Sequence, residues 1–183
     1  MLRLTYGSPA TLASGVLLSL GMCAQSRAAE VVRTPLPDGN AFPIAAAVTV
    51  PAGFDTVYVS GALPSMVNKE AAKGSVDAYG DMTTQAESAL SNIKASLLRL
   101  GLGMGDIVKM TVFMVGDATK GNKLDFAGLM AAYSKFFGTA EQPNKPARSA
   151  VQVAALVAPG ALVEIEVIAV KRHDADQPHH GKD

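Results

Sequence analysis

Arg148 follows Pro146-Ala147 and stands at the start of an apolar run, so a stiffened backbone presents its guanidinium at the end of a sheet. A planar fork of N–H donors in that position can hold a small carboxylate through two parallel bonds, and an ordinary surface ion pair uses the same residue. Glu164 and Glu166 alternate with Val163, Ile165 and Val167, which puts both carboxylates on one face of a strand. A carboxylate near an arginine can orient or deprotonate a water, which is general-base work; a solvated strand face accounts equally for at least one of the pair. Lys109 and Thr111 are the polar positions of another strand pattern. His173, His179 and His180 fall in a polar C-terminal stretch without a fixed third ligand, so no metal is assigned. Neither a GxSxG nucleophile motif nor a phosphate loop occurs. Gly101-Leu-Gly-Met-Gly105 lacks the phosphate-loop lysine, follows a helical pattern and reads as a helix stop.

Composition narrows the partners. The 183 residues suffice for one domain with a core; 49% are hydrophobic and 17% charged, which excludes a disordered chain. Lys plus Arg and Asp plus Glu number 16 each, leaving no basic excess for a phosphate backbone, and without Trp there is little for stacking bases. Nucleic acid is therefore not an expected partner. The single Cys23 excludes disulfides, cysteine zinc sites and CxxC redox pairs.

The elements that would position these residues follow from periodicity. Ala45–Val50 and Thr56–Ser60 read as strands around a Pro51-Ala-Gly53 turn, and 61–80 as a long loop. Ala86, Leu90, Ile93, Leu97 and Leu100 recur at three and four, predicting a helix over Asp81–Leu100, with Thr84 and Glu87 at capping-box spacing. A buried strand is expected at Ile107–Val115 and a loop at Gly116–Lys123. A core-facing helix follows at Leu124–Phe137, with Phe126, Leu129, Met130, Tyr133, Phe136 and Phe137 on one side. Strands at Ala150–Leu156 and Leu162–Val170 complete a ββαβαββ order, an α+β layer with one sheet and two helices on one face. Residues 30–40 read as an irregular leader and 173–183 as a disordered polar tail.

Arg3, the short apolar run Leu12–Cys23 and the small residues to Ala29 have the order of a secretory signal peptide, expected over 1–29. The run is too short for a membrane-spanning helix, so no stable membrane insertion is expected after cleavage. Loss of Arg3 and Arg27 would leave 14 basic against 16 acidic residues, and the mature protein would be periplasmic or secreted.

Several strings together resemble one family. Ser60-Gly61, Asn92-Ile-Lys-Ala-Ser-Leu97, Gly105-Asp-Ile-Val-Lys-Met-Thr-Val-Phe113, Tyr133-Ser-Lys-Phe-Phe137, Pro146-Ala-Arg-Ser-Ala-Val-Gln-Val153 and Val163-Glu-Ile-Glu-Val-Ile-Ala-Val170 are similar in sequence and order to the Rid family, also called RidA/YjgF, over residues 41–172. The resemblance implies a chorismate mutase-like fold and a homotrimer with ligand clefts between subunits. It implies hydrolysis of reactive enamines and imines of the 2-aminoacrylate type to 2-keto acids and ammonia, with no metal and no organic cofactor. It places the carboxylate-binding arginine at Arg148, the water-positioning glutamate at Glu164, and the cleft's Ser-Gly pair at Ser60 and Gly61.

The chain departs from the family's deaminases where Ile44 stands for a tyrosine, Met130 for an asparagine and Ala150 for a cysteine, and in a longer 116–123 loop. The more apolar pocket leaves a second reading open. This is a non-catalytic exported trimer holding a small carboxylic acid or apolar ligand in the intersubunit clefts.

Overall fold

A computed structural model describes residues 29–173; the expected signal segment, apart from Ala29, and the tail beyond His173 lie outside the described residues. The elements run β1 (Val32–Thr34), β2 (Ala47–Thr49), β3 (Phe54–Ala62), α1 (Met82–Arg99), β4 (Ile107–Val115), α2 (Phe126–Tyr133), β5 (Ala147–Val153) and β6 (Val163–Arg172). Four strands form one sheet in the order β3-β6-β4-β5. Within this four-stranded sheet β4 and β5 are the parallel pair among the described residues, a pairing that needs a crossover, and α2 supplies it.

Alternation in β4 divides the sheet into two faces. Met110, Val112 and Met114 are fully buried, while Lys109, Thr111 and Phe113 between them are not. Ala86, Leu90, Ile93 and Leu97 of α1 and Leu129 and Tyr133 of α2 close over the buried face, which gives the expected α+β arrangement of one sheet with two helices on one side. Ile165 belongs to this core, completely buried against Val112 of β4, because its parity on β6 matches Val163 and Val167. No described helix is long and apolar enough to cross a membrane.

The ends of α1 follow local chemistry. The N-cap is Asp81 and not Thr84, its carboxylate accepting from the Thr84 N–H at 2.9 Å. Met82, already helical and fully buried, requires the helix to begin before Thr84. Glu87, free of any capping duty, pairs with Lys135 Nζ at 2.6 Å. Gly101 at φ +71° ends the helix, and Leu102 N–H donates to Leu97 O at 2.9 Å.

Residues 30–40 are not an irregular leader throughout. β1 pairs antiparallel with β2, and Arg33 donates to Gly105 O at 2.7 Å, Ile107 O at 2.9 Å and Lys145 O at 3.0 Å. Three residues are too few to show a period, and these carbonyl partners are distant in sequence. The strand expected over Ala45–Val50 accordingly joins β1 rather than the main sheet, and an isolated Ala45–Ala147 bridge links it to β5. β5 starts three residues earlier than its apolar run predicts, because pairing with β4 begins at Ala147 directly after Pro146. α2 is regular only to Tyr133, with tighter turns carrying the chain to Phe137. His173 is held by its backbone N–H donating to Gly53 O at 2.9 Å and by its imidazole Nε2 against the Asp55 carboxylate, so it extends the β3–β6 ladder and is no part of a tail.

Candidate active site

Arg148 is the second residue of β5 and lies in register with Met110, whose side chain faces the helices. Its guanidinium therefore rises on the helix face at the sheet edge. The guanidinium carbon sits 4.3 Å from the Tyr133 ring centroid, 5.4 Å from that of Phe42 and 5.6 Å from that of Phe126. Nη1 approaches Met130 Sδ at 3.3 Å. Phe126, Met130 and Tyr133 form this wall because spacings of four and three bring them onto one stripe of α2. The Tyr133 hydroxyl donates to Pro43 O at 3.0 Å and so ties the Phe42 segment down beside them. Burial pushes the Tyr133 phenol above its ordinary range, which keeps it a neutral donor.

Burial also lowers the basicity of Arg148, with no carboxylate paired to it among the described residues. Arg33, likewise half-buried, is satisfied by three backbone carbonyls. The contrast separates a structural arginine from one able to receive a ligand. Contact with the rings stabilises the charge without consuming N–H donors, leaving the fork for an incoming anion.

Glu164 lies opposite Phe113 and alternates with the buried Val163 and Ile165, so it points to the other face of the sheet. It is half-buried, whereas Glu166 is exposed. A Cβ at Gly61 would overlap Glu164 Oε1, so the carboxylate rests over the bare glycine α-carbon. Ser60 and Gly61 occupy a register shift between the Val59–Val167 and Ala62–Ile165 pairs, a bulge that brings two residues of β3 against Glu166. Ser60, Lys109, Thr111 and Glu166 share a depression of about 350 Å³ on this face with Tyr58, which is 78% exposed. Lys109 Nζ donates to Ser149 Oγ at 2.9 Å.

The structure thus brings Gly61 and Glu164 together, sets Ser60 beside Glu166 on the same face, and holds Arg148 on the opposite face of the sheet. Of the three departures from the family pattern, Met130 touches Arg148, while Ile44 and Ala150 pack against the core. The aromatic setting of Arg148 was not legible in the sequence. The α2 stripe reads there as core, and Phe42 carries no periodic signal at all. Among the described residues no group of three or more His, Cys, Asp or Glu side chains could hold a metal. His179 and His180 lie outside those residues.

A family model described as Endoribonuclease L-PSP matches residues 40–171. The chain is 45% identical over 116 residues to a RutC family protein of Haemophilus influenzae, spanning 63% of this chain and 79% of that protein. It is 43% identical over 116 residues to the 2-iminobutanoate/2-iminopropanoate deaminase of Escherichia coli K12, spanning 63% of this chain and 80% of that one. A crystal structure from Yersinia pestis, described as a protein of unknown function of the conserved Rid protein family, shares the fold. Its TM-score is 0.56 at 24% identity, over 75% of this chain and 96% of that one. With the family model covering nearly all of the described chain and the fold matching, the protein belongs to the Rid family, also known as RidA/YjgF.

Proposed function

We propose that the protein hydrolyses 2-imino acids, and the enamines that tautomerise to them, to 2-keto acids and ammonia. The observation that carries this reading is the half-buried Arg148 fork, set among rings and without a carboxylate partner among the described residues. The 43% identity to a protein named 2-iminobutanoate/2-iminopropanoate deaminase supports it. In this mechanism Arg148 holds the substrate carboxylate and Glu164 positions a water against the C=N carbon. Water adds as hydroxyl to the carbon and delivers one proton to the nitrogen; the resulting amino alcohol passes its hydroxyl proton to the nitrogen and collapses to the ketone as the C–N bond breaks and ammonia leaves. RNA cleavage, the activity in the family model's description, finds less support, since the balanced 16 basic and 16 acidic residues supply no net attraction for a phosphate backbone.

Arg148 and Glu164 on opposite sheet faces cannot serve one ligand within one chain, so the complete site is formed between copies, in a homotrimer. The exposed Tyr58 and Val151, beside half-buried Phe113 on the open face, supply apolar surface for such an assembly. Light scattering on residues 30–183 is expected to give the mass of three chains at micromolar concentration. A stable monomer would separate the two residues for good and remove the mechanism.

Gly61→Ala is expected to displace the Glu164 carboxylate, since the added methyl takes its place. Turnover should fall by about tenfold or more, as misplacement of a reacting group by about 1 Å can cost a hundredfold. Near-native circular dichroism would show that the exposed bulge itself tolerates the methyl.

Ammonia release from freshly generated 2-iminopropanoate, measured against spontaneous hydrolysis and the Arg148→Ala variant, tests the activity directly. No acceleration over the spontaneous rate, with this imine or with those of leucine and phenylalanine, would overturn it. Export with loss of 1–29 belongs to the same proposal, and the intact mass of the protein from its native host decides it; a full-length species would reject it.

A further inference from the structure

Arg148 can fix one end of a ligand, and the walls beside it determine what the other end can be. Phe42 and Phe126 stack with centroids 6.1 Å apart and planes 14° from parallel, next to the guanidinium. Phe126 is 39% exposed, although Tyr133 and Phe137, which follow it, are completely or almost completely buried. Met130 completes the wall with an unbranched thioether, a side chain that adapts to irregular apolar shapes. The fork thus opens beside a half-exposed aromatic surface. A methyl or ethyl substituent on a bound 2-imino acid would leave most of that surface in water, whereas a benzyl or isobutyl group would cover it.

We infer that Phe42 and Phe126 form the side-chain wall of the site and that it selects 2-imino acids with large apolar side chains, aromatic or branched aliphatic, over those derived from alanine or 2-aminobutyrate. The inference rests on the imine-hydrolysis reading and names its substrate class. Phenylalanine, leucine and their like carry no β-hydroxyl or other β-leaving group, so loss of water from these parent amino acids cannot produce the imines. The reaction that supplies them is two-electron oxidation of the parent amino acid by an oxidase or dehydrogenase.

Two measurements on the assembled protein test the wall. In calorimetry with the product acids, phenylpyruvate and 4-methyl-2-oxopentanoate are expected to bind at least about tenfold more tightly than pyruvate. In hydrolysis assays with imines made in situ from phenylalanine, leucine and alanine by an amino-acid oxidase, kcat/KM should follow the same order. Phe42→Ala and Phe126→Ala should each shrink the binding ratio to about threefold or less, and Phe126→Leu should retain part of it. Pyruvate binding as tightly as the larger acids, or a ratio unchanged in both alanine variants, would overturn the inference. Binding in the expected order without hydrolysis of any imine would instead reject the imine reading and leave the wall standing. Faster hydrolysis of the alanine-derived imine would do the reverse.

Discussion

Arg148→Ala is expected to abolish 2-keto acid binding and imine hydrolysis together. Paired charged hydrogen bonds in a partly desolvated cleft make the guanidinium worth about 2–5 kcal/mol to a bound carboxylate, a loss of about 30- to 5,000-fold in affinity. Arg148→Lys should restore only part of this. Its ammonium can keep a cation–π contact with Tyr133, 4.3 Å from the present guanidinium carbon, but it has no planar fork. Calorimetry with the acid that binds best, run beside the ammonia assay, reads both quantities. Unchanged behaviour of Arg148→Ala in the two would remove the carboxylate from the recognition scheme, and the deaminase and passive-binder readings with it.

Glu164→Gln should separate affinity from turnover. The amide is nearly isosteric and still fits over the bare α-carbon of Gly61, so ligand affinity should change by about threefold at most. It cannot accept a proton from water, and kcat should fall by about 10²- to 10⁴-fold, the range for loss of a general base. A passive carrier of carboxylic acids would show no imine hydrolysis in the parent protein and only a modest affinity shift in the variant. Exposed Glu166, in the same face and parity, is the internal control: Glu166→Gln should leave turnover within about twofold of the parent, in the ordinary range for a surface change.

Residue periodicity made much of the scaffold legible. The three-and-four spacing from Ala86 to Leu97 and the alternation around Lys109 and Thr111 each have one solution that buries their apolar side, and the helix and strand lie where that solution requires. The same rule fails where partners are distant. β1 has only three residues, and Arg33, which holds it, reads in sequence as any basic residue until Gly105, Ile107 and Lys145 are placed around it.

For the site, the sequence alone determined which residue types were available and the parity of each on its strand. Glu164 and Glu166 share a face because side chains on a strand alternate, a fact independent of what packs nearby. Only the tertiary structure decided what each residue meets. The β4–β5 register aligned Arg148 with Met110 and so sent it toward the helices, where Phe42, Phe126 and Tyr133 surround it. The β3 bulge carried Gly61 under Glu164 on the other face. The physical reason is that parity is local to one strand, whereas register and bulges arise from pairing between segments distant in the chain; Gly61 and Glu164 are 103 residues apart.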